Sequence, residues 1–178
     1  MMVTKKELRK QCLTARKGID QTVLKRKETV IQNHLKTWLK SQNIKTVGLY
    51  IPIQNEIDVR PVFKDYNLVY PKVNKTMQFY SDNEGFVAKP MGTIEPKSNQ
   101  VVLHDAIDLL IIPGLAYDKQ GYRLGYGKAY FDQYLKTYKH ITIGITLDQF
   151  LLESLPIENH DQKVMLMITE YGCIRSIQ

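Results

Sequence analysis

The chain has 178 residues, of which 43% are hydrophobic and 24% are charged. This balance is typical of a globular domain and excludes an intrinsically disordered chain. No apolar run approaches the length needed to cross a bilayer, and the basic amino terminus lacks the apolar segment of a signal peptide. We therefore expect one domain over residues 1–178 without a membrane partner.

The chain is basic and contains little cysteine. Lys and Arg outnumber Asp and Glu by 25 to 18, which gives a net charge of +7 and favours anionic partners such as nucleotides, polyglutamates or RNA. Because the charge is spread along the chain, a solvated basic surface is an equal alternative. Cys12 and Cys173 lie far apart and lack metal-ligand spacing, which indicates a reducing compartment, the cytoplasm.

Hydrophobic periodicity predicts helices alternating with strands. Thr4 and Glu7 have the spacing of a capping box at the start of the first helix. We predict helices over 4–17, 20–42 and about 128–138, a short helix beginning at 58–61, strands over 47–53, 68–71, 108–112, 141–145 and 164–168, and an irregular hairpin within 74–104. This alternation predicts an α/β fold, a sheet sandwiched between helices.

The loop after Ile112 is the first place to look for a site, because ligands of such sheets bind beyond the carboxyl ends of strands. Arg123 and Lys128 flank two of its glycines, and a predicted helix follows directly. Glycines admit close backbone approach, and together with cations and a helix start they form an anion site. A plain glycine-rich turn is the alternative. The four glycines are Gly114, Gly121, Gly125 and Gly127.

Two familiar phosphate motifs are excluded by spacing. In a P-loop ending at Gly127-Lys128, the first glycine would stand at Tyr122, and Ala129 takes the place of the Ser or Thr. The dinucleotide fingerprint requires a third glycine where Tyr130 stands. The loop therefore indicates an anion site of another kind.

The same loop resembles the signature of 5-formyltetrahydrofolate cyclo-ligases, whose pattern is close to P-G-x-a-F-D-x-x-G-x-R-L-G-x-G-x-G-Y-Y-D. Ala129 stands where the family has glycine, and Phe131 replaces a tyrosine. We expect Ala129 to be tolerated because the start of a helix needs only a negative φ. The residues that carry the resemblance are Pro113, Gly114, Asp118, Gly121, Arg123, Leu124, Gly125, Tyr126, Gly127, Lys128, Tyr130, Phe131 and Asp132.

Three further segments extend the resemblance over essentially the whole chain. Lys5-x-x-Leu8-Arg9 is similar to the family's N-terminal K-x-x-L-R, which helps bind ATP. Residues 51–56 resemble a strand-end segment that contacts the folate, and His160-Asp161 resembles an H-D pair near the carboxyl terminus. Met165 departs from the pattern, since the family often has a second aspartate there.

The resemblance implies a three-layer α/β/α sandwich around a mainly parallel sheet, forming a single cyclo-ligase domain. It implies ATP-dependent cyclisation of 5-formyltetrahydrofolate to 5,10-methenyltetrahydrofolate with release of ADP and phosphate. The partners would be ATP and the folate, with or without a polyglutamate tail, and the chain a monomer or weak dimer that binds no nucleic acid.

It also implies roles for particular residues. Arg123 and Lys128 would be catalytic, and Asp132 and Asp161 would hold Mg²⁺, a cofactor suited to carboxylates and phosphate oxygens. The folate-binding residues would be Ile51, Glu56, Tyr126 and Tyr130. The ATP-binding residues would be Lys5, Lys6, Glu7, Leu8, Arg9, Arg123, Leu124, Gly125, Tyr126, Gly127, Lys128, Ala129, Tyr130 and Phe131.

Taken without the resemblance, several features have plainer interpretations. Lys5, Arg9 and Arg16 share one helical stripe that suits a solvated face equally well. Asp132 and Asp161 could be two separate surface residues. Tyrosines at 117, 122, 126 and 130 interleave with cations and suit base stacking, so a non-catalytic RNA-binding module is the alternative function. Such a module predicts a dense basic segment, which this chain lacks.

Overall fold

The computed structural model describes residues 3–89 and 93–176. Its helices are α1 (Lys5–Lys17), α2 (Gln21–Leu39) and α3 (Tyr130–Leu135), with short 3-10 helices at Arg60–Phe63, His104–Ala106 and Asp148–Phe150. Its strands are β1 (Thr46–Gly48), β2 (Asn67–Val73), β3 (Met77–Ser81), β4 (Phe86–Ala88), β5 (Ile94–Pro96), β6 (Val101–Val102), β7 (Leu109–Ile112), β8 (Ala116–Asp118), β9 (Arg123–Leu124), β10 (Ile141–Ile145), β11 (Leu151–Leu152), β12 (Leu166–Thr169) and β13 (Gly172–Arg175).

An eight-stranded sheet organises the described part of the chain, in the order β13-β12-β10-β7-β1-β2-β3-β6. The five strands from β12 to β2 pair in parallel. The strands β13, β3 and β6 add antiparallel edges. A small sheet of β11, β8 and β9 stands apart, and β4 pairs with β5. The prediction of an α/β fold around a mainly parallel sheet is confirmed.

Side-chain alternation along β7 shows why the sheet is covered on both faces. Leu109 and Ile111 belong to the core cluster under α1 and α2, whereas Leu110 and Ile112 belong to the cluster that contains α3. All four side chains have no exposed surface. Successive side chains of a strand point to opposite faces, so a continuous apolar strand needs helices on both sides. The three-layer α/β/α arrangement follows.

The helix starts agree with the sequence better than the helix ends. The predicted capping box is present: the Glu7 amide donates to Thr4 Oγ1 at 3.2 Å, and the Thr4 amide donates to Glu7 Oε2 at 2.8 Å. Asp20 caps α2 by accepting from the Val23 amide at 3.0 Å. The second helix ends at Leu39 rather than at residue 42.

Two predicted elements are shorter than their apolar patterns. The strand expected over 47–53 ends at Gly48, and only the Leu49 amide continues its pairing by donating to the Val69 carbonyl at 2.9 Å. Leu49 and Tyr50 remain buried, because an apolar run reports burial rather than strand pairing. The helix expected over 128–138 is the six-residue α3. Tyr138, which follows α3, is buried in the core and donates its hydroxyl to the Ile107 carbonyl at 3.0 Å. Its apolar ring therefore belongs to the core without being part of the helix.

The region 74–104 was predicted as an irregular hairpin. The described residues place β3 against β2 in the main sheet and form a separate β4–β5 hairpin. Residues 90–92 of that region lie outside the described part, as do 1–2 and 177–178. The single domain over 1–178 stays a prediction. No helix within the described ranges is long and apolar enough to cross a membrane.

Candidate active site

The loop that follows β7 leaves the centre of the parallel sheet at its carboxyl edge. It first folds into the β8–β9 hairpin, in which Ala116 pairs with Leu124. Asp118 shapes this turn from a buried position: Oδ1 accepts from the amides of Gln120 and Tyr122, and Oδ2 accepts from the Leu155 amide, all at 3.0 Å. Asp118 is therefore a structural member of the motif, and it sets the path of the glycine segment.

The glycine segment lies against the basic face of α1. Arg9 Nε donates to the Gly125 carbonyl at 2.9 Å. Gly127 has φ +97°, and a Cβ there would lie 3.5 Å from Arg9 Cζ. Within 3–89 and 93–176, the amides of residues 125 to 128 donate to no protein oxygen, and Lys128 is exposed without an ion-pair partner. Open amides beside cations form a surface suited to an anion.

The predicted basic stripe of α1 is not a solvated face. The Lys5 side chain is only 13% exposed and Arg16 only 4%. Arg16 donates to the carbonyls of Gly114 and Leu115 at the start of the loop. All three cations of the stripe therefore face the loop and its neighbours.

Arg123 and Asp132 form a buried ion pair. Arg123 Nη2 lies 2.8 Å from Asp132 Oδ2, and the two side chains are 4% and 10% exposed. The guanidinium stacks over the Phe131 ring at 5.3 Å, which needs the ring but no hydroxyl. Nη1 of Arg123 has no protein partner in the described structure.

Asp161 is held by α1. Lys5 Nζ lies 2.5 Å from Asp161 Oδ2 and 3.4 Å from Glu158 Oε1. The neighbouring Gln162 amide donates to Asp132 Oδ1 at 3.3 Å, so the two predicted metal ligands are brought to one region. They are not separate surface aspartates.

Each of the two carboxylates predicted to hold Mg²⁺ already has a cationic partner. Asp132 is neutralised by Arg123 and Asp161 by Lys5. The described residues contain no group of three or more His, Cys, Asp or Glu side chains that could hold a metal. Met165, which departs from the resemblance, is 51% exposed. A preformed metal cage is therefore absent from the described chain.

Glu56 and Tyr126, two of the residues predicted to bind the folate, are in contact. Tyr126 Oη donates to Glu56 Oε1 at 3.0 Å, and the Ile53 amide donates to Oε2 at 3.0 Å. Glu56 is only 8% exposed, whereas Tyr126 is 39% exposed. Burial raises the pKa of Glu56, opposed by the Ile53 amide, the charge of Arg16 and the Tyr126 hydroxyl. The glycine segment thus places the Tyr126 side chain against the buried carboxylate of Glu56.

The turn before Glu56 is strained in a way that the sequence analysis missed. Gln54 and Asn55 both have left-handed backbones, with φ of 49° and 60°, which costs free energy in residues other than glycine. Asn55 Nδ2 donates to the Arg16 carbonyl at 2.9 Å, and Gln21 Nε2 donates to Asn55 Oδ1 at 3.3 Å. The α1–α2 connection therefore fixes the turn. Asn55 was the only local signal, because Asn tolerates this conformation.

The remaining predicted residues divide by burial. Lys6 is exposed and Glu7 serves the cap. Leu124 lies in the first core cluster with 1% exposure, so only its main chain could touch a ligand, whereas half-buried Leu8 packs against that cluster. The half-buried residues Ile51, Tyr130 and Phe131 pack against the two cores.

Comparison with known proteins identifies the family of this chain. The 5-formyltetrahydrofolate cyclo-ligase family model matches residues 1–170. The chain belongs to the 5-formyltetrahydrofolate cyclo-ligase family. The cyclo-ligase of Mycoplasma genitalium is 36% identical over 151 residues, which cover 83% of this chain and 87% of that one.

Two solved structures of 5,10-methenyltetrahydrofolate synthetases share the cyclo-ligase fold. The Aquifex aeolicus structure matches with a TM-score of 0.81 and 31% identity, covering 98% of this chain and 93% of that one. The Mycoplasma pneumoniae structure matches with a TM-score of 0.80 and 27% identity, covering 94% and 99%. Membership of this family favours an enzyme over the RNA-binding alternative.

The backbone conformation of Ala129, one departure from the cyclo-ligase pattern, differs from the prediction. Ala129 was expected to have a negative φ, but it is the N-cap of α3 with φ +54°. The expectation was wrong because the helix begins one residue later, after the chain has turned through a left-handed position. Glycine adopts that conformation freely, which explains physically why the family pattern has glycine there.

Proposed function

We propose that this chain catalyses the ATP-dependent cyclisation of 5-formyltetrahydrofolate to 5,10-methenyltetrahydrofolate, and that one loop serves both substrates. The observation that carries the proposal is the Tyr126–Glu56 hydrogen bond of 3.0 Å. Residues 125 and 127 of the same segment lie against Arg9, with their amides open to an anion. A phosphate bound there would lie within a few residues of Tyr126, whose hydroxyl contacts the Glu56 carboxylate proposed to bind the folate.

The chemistry needs two steps that balance. The formyl oxygen attacks the γ-phosphorus of ATP, and the bond to the ADP oxygen breaks. The formyl group is then an iminium phosphate, and its oxygen can now leave as part of the phosphate. The N10 lone pair attacks this carbon, phosphate departs with its C–O bond electrons, and the N10 proton is released. The protein's task is to hold the reactants in line and to neutralise phosphate charge.

The cations of the site suit the nucleotide. Lys128 is exposed and free to approach a phosphate, and Arg9 stands behind the glycines. Asp132 holds the Arg123 guanidinium in place through Nη2, and Nη1 has no protein partner among the described residues. We assign Arg123 and Lys128 to the transferred phosphoryl group, and Lys5 and Arg9 to the rest of the triphosphate. Preorganised charges of this kind stabilise a transition state strongly.

The folate side depends on Glu56. A pterin offers N–H donors from its amino group and ring nitrogen, and a carboxylate accepts from two donors at once. Since Tyr126 occupies Oε1, its hydroxyl must move or share that oxygen when the folate binds. Ile51, Tyr126 and Tyr130 are assigned to the faces of the ring system.

Magnesium fits this site only together with the nucleotide. Mg²⁺ is commonly held by one or two carboxylates plus phosphate oxygens, and Asp132 and Asp161 lie in one region. Both carboxylates already have cationic partners, so we propose that they join the ion only when phosphates compete for Arg123 and Lys5. The ion would neutralise phosphate charge.

Both cysteines are free thiols, which agrees with the cytoplasmic location that we propose.

The proposal is tested by mixing purified protein, MgATP and 5-formyltetrahydrofolate and following the methenyl chromophore in the near ultraviolet. We expect absorbance to rise only when ATP is present, with ADP formed in equal amount. Lys128→Met should be folded but slower by roughly 10²-fold, as for the loss of a charge-stabilising group. Lys136→Met, at the exposed end of α3, is the matched control. ATP-independent or absent chromophore formation would overturn the proposal.

A further inference from the structure

Arg16 is a buried cation that pairs with no carboxylate of residues 3–89 and 93–176. Its side chain lies among residues of α1 and the β7–β8 loop with 4% exposure. Nη2 donates to the carbonyls of Gly114 and Leu115, and the guanidinium stacks over the Phe150 ring at 5.2 Å. No acidic oxygen of the described residues lies within ion-pair distance, and Nε and Nη1 have no protein partner.

This arrangement is unusual because a buried charge is normally paired. Carbonyl oxygens satisfy a guanidinium fork without cancelling its charge. The field of Arg16 therefore remains available to its surroundings, and in a poorly solvated region that field is only weakly screened. A structural cation would be expected to have an acidic partner, as Arg123 has in Asp132.

The surroundings of Arg16 point to Glu56. The Arg16 carbonyl accepts from Asn55 Nδ2 at 2.9 Å, which ties the residue before Glu56 directly to this part of α1. Tyr126 closes the other side of Glu56 through its hydroxyl. The main chain of Arg16, at the end of the basic stripe of α1, is thus tied to the turn that carries Glu56, the acidic group of the proposed folate site.

Four ionisable groups influence Glu56 or are influenced by it: Arg16 from α1, Tyr50 beyond β1, Tyr117 from β8 and Tyr126 from the glycine segment. Burial raises the pKa of all three tyrosines, so their hydroxyls stay neutral at physiological pH. Arg16 is the one member of this described set that carries charge. Its positive charge lowers the pKa of Glu56 against the effect of burial.

We propose that Arg16 is a positioning residue for substrate binding, whose unneutralised charge holds buried Glu56 as the carboxylate that accepts the pterin N–H groups. This inference rests on the proposed function and adds a residue to it. Arg16 acts through Glu56, and its fork fixes the loop carbonyls at 114 and 115 at the same time. The charge and the hydrogen bonds are separable by substitution.

The first experiment needs no catalysis. Glutamate side-chain carboxyl carbons are labelled with ¹³C, the Glu56 signal is assigned by its loss in Glu56→Gln, and its titration is followed by NMR. In Arg16→Gln, which can still donate to the two carbonyls, we expect the Glu56 midpoint to move to higher pH. Arg16→Lys, which keeps the charge, should stay close to wild type. Lys17→Met removes an exposed neighbouring charge and is the matched control.

The second experiment measures the folate and ATP Michaelis constants across pH. In Arg16→Gln the acid limb of kcat/KM for the folate should move to higher pH with the NMR midpoint. At neutral pH the folate KM should rise roughly tenfold, the effect of one weakened charge-assisted interaction, while kcat and the ATP KM change far less. A protein merely loosened by the substitution would lose kcat without moving the acid limb.

The two experiments separate the possible failures. An unchanged Glu56 midpoint in a folded Arg16→Gln protein overturns the role of Arg16 even if the enzyme is active. Absence of cyclisation in wild type overturns the proposed function, while the NMR result stands on its own. Should Arg16→Gln not fold, the Arg16→Lys protein decides. A Glu56 midpoint at clearly higher pH in Arg16→Lys than in wild type contradicts the inference, because the charge is still present.

Discussion

Tyr126 donates its hydroxyl to a carboxylate 70 positions earlier in the chain, at 3.0 Å from Glu56 Oε1. This bond joins the glycine segment after β9 to the strained turn after β1. The donor belongs to the segment of residues 125 to 128 with open amides, and the acceptor, which we propose binds the folate, is only 8% exposed. A movement of the glycine segment on nucleotide binding would therefore alter the hydrogen bond that Glu56 accepts from Tyr126.

Replacing Glu56 with Gln tests whether this residue contributes to folate binding and not to ATP binding. The carboxamide can still accept from the Ile53 amide and contact Tyr126, so the turn is retained. It accepts from only one pterin donor, however, and we expect the folate KM to rise roughly tenfold or more while the ATP KM stays nearly constant. Steady-state kinetics with each substrate varied in turn measure this. Equal effects on both substrates would place Glu56 outside the folate pocket.

The same substitution should not weaken the fold at neutral pH. Burial raises the pKa of Glu56 above its ordinary 4.5, so folding favours the protonated form. Stability from this group is present below the unfolded pKa and is lost as pH rises through the folded pKa. A neutral Gln escapes that loss. Urea denaturation at neutral pH should therefore show Glu56→Gln at least as stable as wild type, and a marked fall in its midpoint would contradict the raised pKa.

Asp132→Asn tests the buried pair with Arg123. Because both partners are nearly inaccessible, removing one charge leaves the other buried and uncompensated, which costs about 3–5 kcal/mol of unfolding free energy. The exposed pair Lys119–Glu153 is the matched control, and Glu153→Gln should cost about 0–1 kcal/mol. Urea denaturation checks both values. A fully stable Asp132→Asn protein would mean that the aspartate serves a ligand alone.

Gly127 and Gly85 provide a matched pair for the phosphate surface. Both have positive φ, +97° and +76°, so alanine at either strains the backbone by about 1 kcal/mol. Nothing lies near the added Cβ at Gly85, whereas at Gly127 it would face the Arg9 guanidinium. We expect similar losses of thermal stability, but only Gly127→Ala should raise the ATP KM, by roughly tenfold. An unchanged ATP KM would remove the segment from the nucleotide site.

Ala129→Gly should stabilise the protein. Alanine at φ +54° is disfavoured by about 1–2 kcal/mol, and glycine relieves that strain at a smaller cost of about 0.4–1 kcal/mol in unfolded-chain entropy. A net gain of about 0.5–1 kcal/mol corresponds to a Tm increase of about 1–4 °C for a chain of this length. Calorimetry measures it. A lower Tm would show that the left-handed residue is held by contacts of the alanine methyl.

Local chemistry in the sequence determined the elements and the identity of the loop. Alternation along β7, the Thr4–Glu7 cap and the glycines between Arg123 and Lys128 all act over a few residues, so they can be recognised without a structure. The resemblance of that loop added the family and the candidate residues. Backbone handedness at Gln54, Asn55 and Ala129 was not predicted, because these residues adopt it only when distant contacts enforce it.

Tertiary structure alone decided which charges meet. The sequence offered Asp132 and Asp161 as two bare carboxylates, and the fold gave each a cation, one from β9 and one from α1. It also buried Arg16 against the carbonyls of Gly114 and Leu115 without an acidic partner among the described residues, although in the sequence it is only the third cation of a helical stripe. Ion pairing depends on distances between segments far apart in the chain, and those distances exist only once the sheet has assembled and excluded water between them.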